Sequence, residues 1–385
     1  MKFLHLADLH LGRSLGDFDL KEDQQYILDR ILQIAKEKEV DAVLIAGDVY
    51  DRAIPSEAAV NLFDGLLKDL AEMEISVFII SGNHDSDDRL HFGSDLFAAK
   101  GIHIAACYDG SMYRKTLTDS YGELDVWLLP FVKASRVKHF HPEAEISTYE
   151  DAVRTILAES GFDPERRNLL LAHQFVAGRN GDPLLSGSEG LAVQSVGLVE
   201  KIGYDCFAGF DYVALGHIHS PQRVGREEVR YAGSPLKYSL SEVNNEKSVP
   251  VVTLTEKGQV SVELVPLQPQ RDLRHLRGKL RELLDPERVC DNRDFIYVTL
   301  TDAEPINDVM SILQQTYPNT VRVEYAGRYG AEAEGIELSE AAEQKSFEEL
   351  IPEFYRMVYG EEISEEELAV MKKIAGEAGV IHEAD

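Results

Sequence analysis

The chain has 385 residues, more than one average domain, so about two or three domains are expected. Hydrophobic residues make up 44% and charged residues 28%, and no apolar run approaches the roughly eighteen residues that cross a bilayer. Three cysteines without Cys-x-x-Cys spacing argue against a disulfide framework or a zinc knuckle, and they favour a reducing cytoplasm.

The formal net charge of −29 argues against nucleic acid, because the proteins that bind it are usually basic. The charge is uneven, however: residues 331–385 contain sixteen Asp and Glu but four Lys and Arg. A cation-bridged phosphate site can bind a polyanion locally even where the overall field opposes it. DNA therefore stays open as a substrate, with binding that depends on divalent metal, on local basic patches or on a partner.

Strands and helices alternate in the first third of the chain. The N-terminal MKFLHLADLHLG carries Asp8 and two histidines, so we predict a strand there rather than a signal peptide. The predicted elements are a strand at Lys2–Leu6, a helix at Lys21–Glu39, a strand at Asp41–Ala46, a helix from the N-cap Ser56 to Ala71, and a strand at Ser76–Ile80. Wholly apolar strands predict a parallel or mixed sheet covered on both faces, with the ligand site at the carboxyl ends of the strands.

Further strands and hairpins are predicted before a break at Pro266–Arg271. They are strands at Asp125–Leu129, Asn168–Ala172 and Tyr212–Leu215, and antiparallel hairpins within Arg223–Leu267. The predicted fold class is therefore α/β, a mixed two-sheet β-sandwich flanked by helices.

A smaller α/β unit and a helical tail are predicted after the break. Their elements are a helix at Leu273–Leu284, a strand at Phe295–Leu300, a helix at Ile306–Gln315, a strand at Val321–Tyr325, and amphipathic helices at Phe347–Val358 and Glu365–Ala375. We predict a main domain over residues 1–268, a small α/β domain over 269–326, an acidic linker over 327–346 and a helical segment over 347–385.

Five short motifs with metal-ligating residue types stand at the ends of predicted strands. They are Asp8-x-His10, Gly47-Asp48, Gly82-Asn83-His84-Asp85, His173 and Gly216-His217-x-His219. Their His, Asp and Asn side chains form a mixed nitrogen–oxygen set that suits Mn, Fe or Zn. A single Gly-Asp or Asp-x-His is common and Gly-His-Ile-His alone is moderately specific, but together the motifs offer seven ligands, about the number for two ions. Paired ions are suited to cleave phosphate esters.

His84 follows a candidate ligand, Asn83, but has its own direction. It is the best candidate for contacting the substrate phosphate or for protonating the leaving oxygen. Asp85 has two possible roles, which are orienting His84 and accepting hydrogen bonds that stabilise the turn.

These motifs resemble those of the calcineurin-like metallophosphoesterases. The stretches KFLHLADLHLGRSL, LIAGDVYDRAIPS, ISGNHDS and GHIHSPQ…YAGSPLKYS are similar to those of the SbcD-type bacterial nuclease subunits. The resemblance covers about the first 270 residues, and the small α/β unit is similar in kind to the capping domain of that family.

The resemblance implies Mn²⁺-dependent cleavage of DNA, as an exonuclease on duplex ends and an endonuclease on hairpins and single strands. It implies that two divalent ions are bound by Asp8, His10, Asp48, Asn83, His173, His217 and His219, with Mg²⁺, Fe or Zn as alternatives to Mn²⁺, and that His84 faces the substrate. It also implies a cytoplasmic, nucleoid-associated homodimer that acts in DNA repair, recombination and replication. Its partner would be the SMC-like ABC ATPase SbcC, which would dock on the apolar face of Phe347–Val358.

One position departs from the family pattern. Archaeal and eukaryotic relatives carry a second substrate-facing histidine after the Gly-Asp motif, where this chain has Asp51. Nearby Arg52 could instead contact a phosphate or form a surface salt bridge. Basic residues at Lys133, Arg136 and Lys237 are further candidates for contacts with DNA phosphates.

Two other functions compete with DNA cleavage. A phosphomonoesterase or a cyclic-nucleotide phosphodiesterase can use the same fold. The small α/β unit and the apolar tail favour the nuclease, because an enzyme for small substrates needs neither. A non-catalytic scaffold is disfavoured, because none of the seven ligands is missing.

Overall fold

Continuous apolar runs such as Ala42–Ala46 and Ser76–Ile80 form strands that are buried along nearly their whole length. The structure is a computed structural model. It describes residues 1–178, 181, 183–184 and 201–326, and the positions 352, 355, 363–364, 367–368 and 370–371. The chain divides into two compact units, Met1–Leu273 and Arg274–Asp385.

The first unit consists mainly of strands. They are β1 (Lys2–Leu6), β2 (Ser14–Leu15), β3 (Phe18–Asp19), β4 (Ala42–Ala46), β5 (Ser76–Ile80), β6 (Ile102–Ala105), β7 (Tyr113–Asp119), β8 (Gly122–Leu129), β9 (Arg167–His173), β10 (Val176–Ala177), β11 (Ile202–Gly203), β12 (Tyr212–Gly216), β13 (Gln222–Val224), β14 (Arg226–Tyr231), β15 (Ser248–Leu254) and β16 (Val260–Pro266).

Helices connect and cover these strands. They are α1 (Lys21–Glu37), α2 (Glu57–Glu72), α3 (Asp87–His91), α4 (Ser94–Ala98), α5 (Ala134–Phe140) and α6 (Tyr149–Glu159), with short 3₁₀ helices at Tyr204–Phe207 and Leu240–Glu242. The predicted cap of α2 is confirmed, because the Ser56 side chain accepts a hydrogen bond from the Ala59 backbone at 3.2 Å. No helix in the described part of the chain combines the length and apolar character needed to cross a membrane.

Two six-stranded sheets form the core. The first sheet has the order β16-β15-β1-β4-β5-β6, and the second has the order β13-β14-β12-β9-β8-β7. In the first, the parallel strands β6, β5, β4 and β1 are followed at one side by the antiparallel strands β15 and β16. In the second, a parallel centre lies between the antiparallel edge pairs β13–β14 and β7–β8. Phe3, Leu44 and Phe78 of the first sheet share one buried cluster with Val126 and Leu171 of the second. The predicted mixed two-sheet β-sandwich flanked by helices is confirmed.

The second unit contains β17 (Leu273–Gly278), α7 (Leu280–Leu283), β18 (Phe295–Leu300), α8 (Val309–Thr316) and β19 (Thr320–Tyr325), with the sheet order β17-β18-β19. The helix predicted at Leu273–Leu284 is wrong, because its first half is strand β17. Its leucines have helical spacing, but pairing with β18 satisfies the backbone and Leu276 packs on the small core. The predicted linker 327–346 and most of the predicted helical segment 347–385 lie outside the described residues.

Candidate metal centre

The candidate ligands lie at adjoining strand ends of the two sheets. Asp8, Asp48 and Asn83 follow β1, β4 and β5 of the first sheet, while His173 ends β9 and His217 follows β12 of the second. Ligand atoms fall within 4.8 Å of one another in three sets, which are Asp8, His10 and His219; Asp8, Asp48 and His173; and His10, Asp51 and His84. The folded chain thus brings together motifs more than 200 positions apart.

Asp8 joins the two sheets and retains a coordinating atom. Its Oδ1 accepts a hydrogen bond from the His217 backbone at 2.9 Å. Its Oδ2 is buried without a hydrogen-bond partner among the described residues. A buried carboxylate oxygen without a partner is costly, and coordination of a cation removes that cost. Asp8 therefore fits a metal ligand better than a structural residue.

Two imidazole nitrogens face each other across the site. His10 Nε2 lies 3.1 Å from His219 Nε2, and both rings are buried. A hydrogen bond between them uses a proton on one ring, whereas a cation would use the lone pairs of both. This arrangement fits a shared metal ion.

His173 and Asn83 complete the set of candidate ligands, with the His173 ring buried and Asn83 exposed. His173 Nδ1 donates to the Ala46 carbonyl at 2.7 Å, so Nε2 is the nitrogen that would bind a cation after losing its proton. That Nε2 lies 3.1 Å from Asn83 Oδ1 and 3.4 Å from Asp48 Oδ2. His217 Nδ1 lies 2.9 Å from the same Asn83 oxygen. Two imidazoles, an amide and a carboxylate therefore converge on one position.

Burial controls the charge of these side chains. It lowers the pKa of His10 to about 4 and that of His217 to about 3, so both rings are neutral and able to coordinate. It raises the pKa of Asp8 to about 6. Burial would also raise the pKa of Asp48, but His173 holds it well below its usual range. Burial lowers the pKa of His173, yet Asp48 raises it to about 9, so a cation there displaces a proton.

Several ligand residues have strained backbones. Asp8, His10, Asp48 and His217 have φ values of 53°, 43°, 49° and 97°. Non-glycine residues adopt positive φ rarely and at a cost of roughly 1–3 kcal/mol each. Such strain persists only where the surrounding structure enforces it. Here the positive φ values direct the four side chains from the strand ends into the site.

The glycines of the motifs allow close approach, between the two sheets at Gly216 and between neighbouring strand ends of the first sheet at Gly82. A Cβ on Gly216 would lie 1.9 Å from the Ala46 carbonyl oxygen, and one on Gly82 would lie 2.1 Å from Asp48 Oδ1. No side chain fits at either position. The glycines before His217 and Asn83 are therefore required by contact distance rather than by the chemistry of the ligands.

The open side of the site carries His84. Its ring is half-buried and its Nδ1 lies 3.0 Å from the Asp51 carbonyl oxygen, so the other ring nitrogen is directed elsewhere. Asp85 does not orient it, since the Asp85 carboxylate accepts backbone hydrogen bonds from Val49, Tyr50 and Gly82 at 3.1, 2.9 and 2.9 Å. Of the two predicted roles of Asp85, the structure supports stabilisation of the turn.

Asp51 is engaged by its neighbours. Its Oδ1 lies 2.9 Å from Arg13 Nη1 and 3.5 Å from His10 Nδ1. Arg52 is 81% exposed in its side chain and lies 3.6 Å from Asp51 Oδ2. The surface salt bridge suggested for Arg52 therefore forms in the structure, and it is weak enough for a phosphate to replace.

A cleft of about 610 Å³ opens beside Asn83. Its lining includes Phe131, Lys133 and Arg136, of which Lys133 and Arg136 are exposed. Arg136 Nε donates to the Tyr108 carbonyl at 2.8 Å, which fixes its guanidinium. The cleft thus joins the ligands to two of the predicted phosphate contacts.

Lys237 does not fit the predicted phosphate contact. Its ammonium lies 2.9 Å from the Asp272 carboxylate and donates to the Val243 carbonyl at 2.8 Å, and its side chain is largely buried. An ammonium neutralised in this way has little capacity for a phosphate.

A buried polar network lies behind the ligands, and sequence reasoning missed it. Glu242 and Lys247 are buried against His219, and the Gln24 amide donates to the His10 carbonyl at 2.8 Å. Single polar residues without a metal-binding spacing carry no pattern that would have identified them.

Comparison with known proteins agrees with this geometry. The family model of the calcineurin-like phosphoesterases matches residues 1–221, and that of the type 5 capsule protein repressor C-terminal domain matches residues 269–359. The chain therefore belongs to the calcineurin-like phosphoesterase family.

A particular relative is the D subunit of the nuclease SbcCD from Staphylococcus epidermidis. It is 33% identical over 323 residues, which are 83% of this chain and 84% of that protein. Similar solved structures include TT1561 of Thermus thermophilus, with 10% identity, a TM-score of 0.38, and coverage of 68% of this chain and 98% of that one. A dimetal phosphatase from Danio rerio has 14% identity, a TM-score of 0.35, and coverage of 70% and 99%.

Proposed function

We propose that the chain is the nuclease subunit of an SbcCD-type complex and hydrolyses DNA phosphodiester bonds. The observation that carries this proposal is the convergence of buried carboxylates and imidazoles, with the exposed Asn83 amide beside them, in a chain that is 33% identical to a nuclease subunit. Duplex exonuclease activity and endonuclease activity on hairpins and single strands are the specific reactions we expect, in DNA repair, recombination and replication.

Asp8, His10, Asp48, Asn83, His173, His217 and His219 would hold two divalent cations, which we expect to be Mn²⁺. The nitrogen–oxygen donor set supports this choice, and it also accepts Mg²⁺, Fe or Zn. When bound, such a pair polarises the phosphate and lowers the pKa of a bound water. The protein supplies a rigid frame for this chemistry, because the strained strand ends fix the ligand directions.

His84 would protonate the leaving oxygen or donate a hydrogen bond to the phosphate. Its Nδ1 faces the Asp51 carbonyl at 3.0 Å, which leaves Nε2 as the atom that meets the substrate. His84 is partly exposed and follows the exposed Asn83, so a substrate can reach its ring. The imidazoles of the candidate ligands are buried, which supports this role for His84.

The DNA strand would run along the cleft beside Asn83. Exposed Lys133 would contact a backbone phosphate, and Arg136, fixed by Tyr108, would contribute positive charge. Arg52 would contact another phosphate by leaving its weak pair with Asp51. Together they offset the negative charge of the chain locally.

We further propose that residues 1–268 are the nuclease domain, 269–326 a capping domain, 327–346 a linker and 347–385 the segment that binds the SMC-like ATPase SbcC. A homodimer is supported by Phe92 and Leu96, four positions apart and 82% and 78% exposed. Large exposed apolar side chains in proximity are typical of interaction surfaces. The complex would act in the cytoplasm on the nucleoid.

Cleavage assays with Mn²⁺ on a hairpin oligonucleotide and on a chromogenic phosphodiester test the proposal. Cleavage of the hairpin is expected, and turnover of the small ester alone would favour a phosphodiesterase for small substrates. Deleting residues 347–385 should abolish co-purification with the ATPase but spare Mn²⁺-dependent cleavage of single strands. If the complex persists, that segment is not the docking site.

A further inference from the structure

Glu242 and Lys247 form a buried ion pair next to His219, and neither residue is a proposed metal ligand. Glu242 is fully buried, and one of its carboxylate oxygens lies 2.5 Å from the Lys247 ammonium. The Lys247 side chain is itself only 3% exposed. Charges are buried in this way at a large desolvation cost, and the fold tolerates it only where the pair is well hydrogen-bonded.

The pair holds His219 at two points. Glu242 Oε1 lies 3.4 Å from His219 Nδ1, and Lys247 Nζ donates to the His219 backbone carbonyl at 3.0 Å. Ser234 Oγ lies between the two charged groups, at 2.8 Å from Lys247 Nζ and 3.2 Å from Glu242 Oε2, the oxygen that also contacts Lys247. The ring and the backbone of His219 are therefore fixed by one rigid unit.

This arrangement determines which nitrogen of His219 can coordinate. The Glu242 carboxylate accepts a hydrogen bond from the protonated Nδ1 of His219. The lone pair of the ring therefore lies on Nε2, the nitrogen that faces His10 Nε2 at 3.1 Å. A negative acceptor also makes the imidazole a stronger ligand. Within the described residues, the corresponding acceptor on His173 is the neutral carbonyl of Ala46. The two imidazoles therefore differ in the charge behind them.

We propose that Glu242 is a positioning residue that sets the affinity of the cation held by Asp8, His10 and His219, and that it acts only weakly on the cation held by Asp48 and His173. This inference rests on the proposed metal-dependent function. Lys247 neutralises the buried carboxylate and holds it in place. The two metal positions thereby acquire different affinities from different supporting groups.

Titration calorimetry of the full chain with Mn²⁺ tests this inference. Glu242→Gln should weaken one of two binding steps by about 10–100-fold and leave the other unchanged. Hydrolysis of bis(4-nitrophenyl) phosphate should fall at low Mn²⁺ and recover as Mn²⁺ is raised. Equal weakening of both steps, no weakening, or lost hydrolysis without recovery would overturn it.

Asp119→Asn provides the matched control. It also removes one carboxylate charge from an ion pair of low exposure, which Asp119 forms with Arg167. That pair lies beside Met1, away from the candidate ligands. The Asp119→Asn variant should lower stability without changing either binding step. If Glu242→Gln does not fold, the double variant Glu242→Gln, Lys247→Met removes both buried charges and is titrated in its place. A wild-type chain that binds fewer than two Mn²⁺ or does not cleave the hairpin oligonucleotide refutes the proposed function itself.

Discussion

The two ends of the central strands carry opposite kinds of polar chemistry. At the carboxyl ends, Asp8 and Asp48 have strained backbones, and one Asp8 oxygen is buried without a partner in the described part of the chain. At the amino ends, Asp41 accepts from the Lys2 backbone at 2.7 Å and Asp211 accepts from the Asn168 backbone at 2.6 Å. At the carboxyl ends, the strained backbones and the Asp8 carboxylate are costly to the fold, whereas the carboxylates at the amino ends stabilise it.

Charge pairing at the amino ends extends across both sheets. Asp119, at the end of the edge strand β7, binds the N-terminal ammonium of Met1 at 3.0 Å and Arg167 at 2.7 Å. Arg167 begins β9 in the second sheet, while Met1 precedes β1 in the first. Backbone strain and a buried carboxylate oxygen without a partner among the described residues therefore lie at the carboxyl ends of the strands, where a bound cation can relieve them. The carboxylates at the amino ends are paired.

Asp8→Asn should have the largest effect. Loss of a carboxylate that we propose holds a cation should remove several kcal/mol of transition-state stabilisation, so kcat should fall on the order of 10³-fold. In EDTA, however, the unfolding free energy at pH 7 should rise by about 2 kcal/mol, because a neutral amide replaces a carboxylate whose ionisation is opposed by burial. Denaturant unfolding in EDTA and steady-state kinetics in Mn²⁺ measure the two effects.

The raised pKa of Asp8 explains why Asp8→Asn should increase the unfolding free energy in EDTA. In EDTA, this group's contribution to wild-type stability should decrease as pH rises from about 4 through about 6, because the folded state binds the extra proton. The advantage of Asp8→Asn should grow over the same interval. A variant less stable than wild type in EDTA at pH 7 would contradict the comparison.

His84→Ala should reduce cleavage by about 10²–10⁴-fold. Mn²⁺ binding should be retained, because His84 lies on the open side and the buried ligands stay in place. Calorimetry and cleavage of a hairpin oligonucleotide separate the two properties. Parallel loss of Mn²⁺ would instead make His84 a ligand or a structural residue.

Gly216→Ala should lower the unfolding free energy by about 3 kcal/mol, because its Cβ would overlap the Ala46 carbonyl at 1.9 Å and press on His173. Gly65→Ala in α2 is the matched control. Within the described ranges nothing lies within 4 Å of a Cβ there, so this change should add about 0.5–1 kcal/mol through helix propensity. Equal effects at both sites would show that contact between the sheets does not limit position 216.

Asp119→Asn should lower the unfolding free energy by about 1–2 kcal/mol. Hydrogen bonds from Arg167 hold the pKa of Asp119 well below its usual range. This group therefore stabilises the fold above about pH 4 and loses that contribution as pH falls, so wild type and variant should converge in acid. Urea unfolding at several pH values measures this, and a gap that persists at low pH would rule out the ion pair as its cause.

The sandwich could be predicted from the sequence because its strands are continuous apolar runs that end at polar motifs. Ala42–Ala46 and Ser76–Ile80 illustrate this, since burial on both faces leaves no periodicity to misinterpret. Strand β17 could not be predicted, because its leucines have helical spacing and only its sheet partner decides otherwise. Glu242 was missed for a related reason, as its role depends on contacts that form only in the folded chain.

The candidate ligands come from both sheets, and this has a consequence for motion. Asp8 and Asp48 belong to loops of the first sheet, while His173 and His219 belong to the second. A cation pair shared among them would crosslink the two layers, and its binding free energy would add to the resistance of the molecule against separation of the layers. Removing the cations with a chelator would then weaken the contact between the layers, so the stability of the sandwich would depend on the concentration of divalent metal.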